Sequence, residues 1–274
     1  RQTADLWLAY RRGALRAHLS GHGEFDLAIW ADSDQWDEPT IEAYQSQLLP
    51  REAWVAGSLG VTELTLGRQV VAWGEGRLSG VLDVVNPRDL REPGMVDLED
   101  LRLPVSMARV TSSLDGGSVW PGTHRFELMV VPEADFGFRS SPLGPFGMLD
   151  GLVDEVELDE SMAELVDLDG VLEDLEVDYV HLQDRWAADQ LQSFARWTWR
   201  GRGLDLGVYA ASVLDQQGTI VMPEFIDLLA ASNEGESVEI GLDHRRYQLL
   251  GQSGVVAALG VLARWEVAYK NDLP

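Results

Sequence analysis

The constraint that most limits this chain is a two-residue alternation that persists on both sides of a turn. In "LQSFARWTWRGRGLDLGVYAASVL", Leu191, Ser193, Ala195, Trp197 and Trp199 occupy one face, and Gln192, Phe194, Arg196, Thr198 and Arg200 the other. Period two marks a strand with unlike faces, because successive Cβ atoms of an extended chain point to opposite sides. Gly201, Arg202 and Gly203 supply a short turn, after which Leu204, Leu206, Val208 and Ala210 alternate with Asp205, Gly207, Tyr209 and Ala211. This predicts a β-hairpin.

Similar stretches recur at "ADLWLAYRR", "GALRAHLSG", "EFDLAIW", "REAWVAGSL", "VTELTLGRQVVAW", "VSMARVTSS", "HRFELMVV" and "SVEIGLDHRRYQLLG". Arg16 with His18, Glu24 with Asp26, and Glu63 and Thr65 with Gln69 lie on polar faces. Turns at Gly13, Gly60 and Gln252-Ser253-Gly254 predict a meander of hairpins. The last segment, "VVAALGVLARWEVAYK", reads as one strand: Val255, Ala257, Leu259, Val261, Ala263, Trp265, Val267 and Tyr269 against Gly260, Arg264, Glu266 and Lys270. An apolar face with aromatics near its end, backed by small and charged residues, fits a strand between lipid and a wet lumen. The competing reading makes the same aromatics the core of a large soluble β domain.

Length and charge narrow the classes. The 274 residues, 45% hydrophobic, are treated as a single domain spanning 1–274. A formal charge of −25 opposes a nucleic-acid partner, which needs clustered Lys and Arg. Without cysteine there is neither a disulfide framework nor a thiolate metal site. No run of about 18 apolar residues exists to form a membrane-crossing helix, but the weaker strand signal of a membrane barrel remains compatible. The chain begins at Arg1 with no signal-type apolar stretch before the first strand pattern, so the expectation is a processed or trimmed chain.

Two long interruptions break the meander. Residues 139–178 open with the Gly/Pro-rich "RSSPLGPFGMLDG" and become acidic, with thirteen carboxylates and no Lys or Arg from Asp150 to Asp178. A short helix around Ser161 to Leu172 competes there with a solvated loop, which could dock a partner. Its "DLDG" lacks the ligand spacing of a calcium loop. His18 and His22 have no evident third ligand, and "HLSGH" is expected to cross a turn, so no metal site is assigned. In residues 74–104, Asn86-Pro87-Arg88-Asp89 reads as a helix start, with Asn as N-cap and Pro in the first turn. From Glu75 to Arg102 there are seven acidic residues and four Arg, a charge density that belongs inside a barrel or at its mouth rather than in hydrocarbon.

"GRQVVAWGEGRLSGVLDVVNPRDLRE" followed by "DLEDLRLPVSMARV" resembles an uncharacterised family of Gram-negative outer-membrane β-barrels, defined only as a domain of unknown function and loosely related to porins. The shared features are the Gly67-Arg68-Gln69 strand, Trp73-Gly74-Glu75, the loop from Asp83 to Leu90 and the strand start from Pro104 to Arg109. The resemblance implies an outer-membrane location, a wide barrel and a place in envelope systems handling hydrophobic compounds or lipids; it brings no catalytic residues. An aromatic-terminated last strand would complete such a barrel, whereas this chain ends "KNDLP". That, with about a dozen candidate strands, leads to the expectation of a partial chain.

The expected fold is therefore all-β: an antiparallel up-and-down transmembrane barrel with short turns at one end, longer loops at the other and an inward charged loop at 74–104. Arg68, Glu75, Arg77, Asp83, Asn86, Arg88, Asp89 and Arg91 are candidates for a pore constriction, or for ion pairs that only anchor the loop. Arg196, Arg200, Arg264 and Glu266 are expected to face the lumen, where ordinary cross-strand pairing is the simpler reading. Trp197, Trp199, Trp265 and Tyr269 would form a girdle at the membrane interface. The expected role is a porin-like conduit for small or amphipathic solutes, with the outer-membrane lipid bilayer as partner and no cofactor. A structural barrel scaffolding other envelope proteins is the alternative. No nucleophile elbow, phosphate loop or dinucleotide fingerprint points to an enzyme.

Overall fold

The computed structural model describes residues 2–31, 33–35, 41, 44–75, 80–91, 101–118, 120–140, 177–221, 238–258 and 260–272. Its strands are β1 (Gln2–Arg12), β2 (Leu15–Phe25), β3 (Ser46–Leu59), β4 (Thr62–Gln69), β5 (Asp89–Leu90), β6 (Val105–Gly116), β7 (Gly122–Val131) and β8 (Phe138–Arg139), followed by β9 (Val177–His181), β10 (Gln192–Gly201), β11 (Leu204–Leu214), β12 (Thr219–Val221), β13 (Val238–Asp243), β14 (Arg246–Ala258) and β15 (Val261–Asn271). Ten of them form one sheet in the order β1-β2-β3-β4-β6-β7-β10-β11-β14-β15, each antiparallel to its neighbour. The all-β antiparallel meander is thus as expected. Among the described residues no ladder joins β1 to β15, so the sheet is not closed into a barrel there.

Connections at one end of this sheet are tight. Between β10 and β11, Arg202 (φ 52°) and Gly203 (φ 78°) make the left-handed pair that a two-residue hairpin requires. The other end carries the long connections: 26–45, 70–104, 132–191 and 215–245. There β12, β13 and β9 form a small second sheet, and β5 pairs with β8.

Register and alternation divide the large sheet into two unlike faces. One face shows Leu6, Leu8, Leu19, Val55, Leu64, Val110, Leu128, Val208, Leu250 and Val267, all exposed. Away from the bulge where Arg51 and Glu52 oppose Ser20, no position on this face is Asp or Glu. Its only Arg residues, Arg12, Arg68 and Arg246, lie within two residues of strand ends. Charge is concentrated on the opposite face, which the long segment between β4 and β6 covers.

This strap carries its own apolar side chains. Val71, Trp73, Leu82, Val84 and Val85 bury themselves with Val105, Met107, Met129, Phe194, Tyr209, Val213, Tyr247 and Leu249 of the inner face. Contacts reach far around the sheet: Arg91 pairs with Glu24 on β2, while the Glu75 N–H donates to Glu266 on β15. One segment touching the second and the last strand means that the sheet curls around it. Gly251 permits the approach on β14, since a Cβ there would run into the Leu82 side chain.

Several local expectations are corrected. Asn86 starts no helix; it is buried, its amide donates to the carbonyls of Gln69 (2.9 Å) and Leu103 (2.8 Å), and its Oδ1 accepts from Val71 N–H (2.7 Å). A side chain engaged by three backbone groups cannot cap, and Asp89–Leu90 runs extended as β5. "EFDLAIW" is not a single strand, because Asp26 Oδ1 accepts from Ala28 N–H (2.8 Å) and starts the short helix α1, Leu27–Ala31. Gln252-Ser253-Gly254 lies inside β14, where buried Ser253 bonds the Tyr209 hydroxyl (2.9 Å). The final "single strand" is a hairpin: Ala258 pairs with Val261 around Gly260 (φ 78°), so Val255 faces inward and Val261 outward. Most of the acidic interruption, with its helix at Ser161 to Leu172, lies outside the described residues.

Asn86→Ala should free one N–H and two carbonyls in a buried setting, lowering the unfolding free energy by about 2–4 kcal/mol. Thermal melting of the purified chain, with proteolytic nicking between 70 and 91 as the local readout, measures the loss.

Candidate functional site

The inner wall is organised around one carboxylate. Glu127 on β7 is buried; its Oε1 accepts from Trp73 Nε1 of the strap (3.1 Å) and forms an ion pair with Arg196 on β10 (2.9 Å). Its Oε2 accepts from Arg109 Nε on β6 (2.8 Å) and from a second nitrogen of the same guanidinium. Arg125, two residues back on the same face, is 3.9 Å away, outside hydrogen-bond range. Trp73 is held edge-on by Phe194 and Tyr209. Nearer β1, Arg16 pairs with Glu63, His22 with Asp5 (2.7 Å), and His18 stacks on Trp54. "HLSGH" does not cross a turn: β2 runs through Gly21, and both His lie on the inner face. Among the described residues no group of three or more His, Asp or Glu could hold a metal ion.

The loop candidates form interlocked ion pairs. Asp83 accepts from Arg102 (2.9 Å) and Arg88 (3.3 Å). Arg91 is buried between Asp89 and Glu24, and its carbonyl accepts from the hydroxyls of Tyr44 and Ser140 (both 2.9 Å). Glu75 contributes its backbone N–H to Glu266. This geometry favours the anchoring role over an open charged constriction. Arg68 departs further from expectation: its position shares a face with Leu64 and Leu66, and it turns over the long-loop end to Glu133 (2.8 Å) and Pro104 O (2.6 Å). Arg77 lies outside the described residues. Arg196, Arg200, Arg264 and Glu266 all occupy inner-face positions, Arg200 bonding Asp205 (3.0 Å). Trp197, Trp199, Trp265 and Tyr269 occupy the outer face; Trp197 donates to His124 Nδ1 (3.3 Å), and Trp120 packs against both.

Sequence reasoning missed the residues that close the long-loop end. Glu133, fully buried, accepts from Arg68 and Arg185, which also reaches Asp135 (2.9 Å). Burial opposes its charge, but the Ser106 N–H, Arg185 and Arg68 together hold its pKa below the ordinary value. Beside it a cleft of about 560 Å³ runs between Pro50, Arg51, Pro104, Phe136, His181 and Gln183. His244 is buried there, stacked on Phe136 at 3.5 Å between centroids. Its Nδ1 lies 2.7 Å from the Asp215 carbonyl, which can only accept, so Nδ1 carries the proton and Nε2 accepts from His181 Nδ1 (2.8 Å). Burial, reinforced by His181 and Arg139, pushes His244 down to about 4, and His181 is also lowered by burial and then Arg139. Only the alternation of the flanking segments hinted at these residues; the loop pairings that join 133, 181 and 244 have no local sequence signal.

The fold and inner wall define an antiparallel β-meander curled around an inward strap. A family described as a protein of unknown function (DUF1302) matches residues 18–120, from β2 through the strap to the end of β6. No curated protein and no solved structure matches the chain.

A histidine with a depressed folded-state pKa makes the unfolded chain bind the extra proton first, so stability falls as pH drops from about 6.5 toward 4. The loss should approach the order of 3 kcal/mol for His244. Melting between pH 7.5 and 5 should show this slope, and His244→Gln should flatten it. An equally steep slope in the variant would contradict the assignment. Glu133 contributes separately, its stabilisation being lost only on further acidification, as pH falls through its lowered folded-state pKa.

Proposed function

We propose that this chain builds the wall of an outer-membrane β-barrel that conducts small or amphipathic solutes past its inward strap. The carrying observation is the outer face: ten adjacent strands expose Leu, Val, Ala and aromatic side chains without a carboxylate, while charge is kept on the opposite side. A charge on a lipid-facing surface costs about 2–4 kcal/mol at the bilayer midplane, and a bare apolar face is an aggregation hazard in water, so this face fits a hydrocarbon environment. Strand lengths support the reading: nine of the ten have 10–14 residues, and a tilted strand of about 9–11 spans a bilayer core. Tyr10, Trp120, Trp197 and Trp199 near the short turns, and Phe25 and Tyr269 toward the other end, supply aromatic belts. Resemblance to envelope barrels for hydrophobic compounds adds the solute class.

A specific observation favours the second reading, a structural barrel scaffolding envelope partners: the strap packs a continuous apolar cluster against the inner wall and narrows any passage. Conductance separates the two. Chain purified in detergent and added to planar bilayers should give stable current steps if it conducts; a silent barrel supports the scaffold.

Lipid exposure is tested independently. Brominated-chain lipids should quench fluorescence of a variant retaining only Trp265 by a large fraction and leave one retaining only Trp73 nearly unquenched. Equal quenching, or a chain soluble without detergent, would reject the membrane reading.

A further inference from the structure

We infer that Arg125 and the Arg109–Glu127–Arg196 cluster form an oxyanion site on the inner wall, so that the conduit takes solutes bearing a carboxylate or phosphate group. This rests on the proposed barrel reading, and extends it by naming the solute chemistry.

The argument is one of unfilled valence. A carboxylate offers about four acceptor positions; in Glu127 three accept from Trp73 and two nitrogens of Arg109, and the Arg196 guanidinium sits against Oε1 as an ion pair (2.9 Å). Arg125, whose only ion-pair contact among the described residues is the 3.9 Å approach to Glu127, donates no hydrogen bond to it. Three guanidinium groups thus share one carboxylate, 3 − 1, leaving a surplus of two positive charges. Two further carboxylates flank this stretch of wall: Glu63, engaged by Arg16 and by the Ser58 hydroxyl (3.1 Å), and Asp115, which opposes Thr123 and accepts from its hydroxyl (3.5 Å).

The surplus is also accessible. Arg125 keeps 46% of its side chain exposed, against 21% for Arg109 and 15% for Arg196. Its directly opposed neighbours on the same face are Ser113 and Thr198, two hydroxyls that can donate to the same ligand. A planar five-donor fork beside two hydroxyls suits a carboxylate or phosphate better than a halide, because two oxygens can be held at once. An entering anion would supply the charge that Glu127 cannot, in a wall segment partly withdrawn from water where such a contact is strong.

Inorganic pyrophosphate is the probe. In detergent at constant ionic strength it should raise the melting temperature of the wild-type chain saturably; Arg125→Gln should weaken its apparent affinity about tenfold or more. Arg125→Lys keeps the charge but loses the fork, and should fall between them. Because Arg125 makes no hydrogen bond among the described residues, Arg125→Gln should melt at the wild-type temperature without ligand; if it does not fold, the comparison with Arg125→Lys carries the test alone. No saturable shift in wild type, or shifts equal in wild type and both variants, overturns the inference. Reversal potentials across a KCl gradient distinguish its failure from that of the conduit: current without a pyrophosphate effect removes the anion site alone, whereas a pyrophosphate effect in a silent barrel keeps the site and removes conduction.

Discussion

An ionised group covered by other protein atoms must find its hydrogen bonds there, and the inner wall of this sheet obeys that condition through the strap. Glu127 would be costly to bury against apolar Val105, Met129 and Phe194 were it not ringed by Arg109, Arg196 and the Trp73 indole. The wall supplies the arginines and the strap supplies the indole, so neither half is complete alone. The same reciprocity recurs toward the long-loop end, where strap residue Arg91 meets Glu24 of β2.

These pairings explain how a segment so charged in sequence forms a largely apolar buried layer. Among its described residues, Asp83 pairs with Arg88 and Arg102, and Asp89 with Arg91, which turns these polar groups toward one another. Trp73, Leu82, Val84 and Val85 are thereby left to face the wall. Asn86 then ties the two limbs together, bridging Gln69 and Val71 on the way in to Leu103 on the way out.

Much of this was legible residue by residue, and the failures have identifiable physical causes. The hairpin through Arg196, Trp197, Trp199 and Leu206 was readable because alternation is a local property and Gly203 announces its turn. Inward burial of the strap followed from its charge density, though the Asn-Pro pair misled: the same side chain that caps helices also bridges strands, and distant carbonyls decided which. The last hairpin was hidden because the reversal between Ala258 and Val261 keeps apolar residues at odd positions while exchanging the face they occupy. The cluster around Glu127 depends on the registers of β6, β7 and β10, which set four charged residues of three strands side by side, and no single strand encodes a register.

The strap's reach from Glu24 on β2 to Glu266 on β15 gives it a mechanical role of its own. It works as a spoke: its two far contacts set how tightly the sheet curls, just as its middle fills the space enclosed. A wall of this kind cannot widen by strands sliding smoothly past one another. It would first have to release Arg91 or Glu75 from its distant partner, so that changes in the curl of the sheet are tied to discrete, breakable contacts instead of to its elasticity.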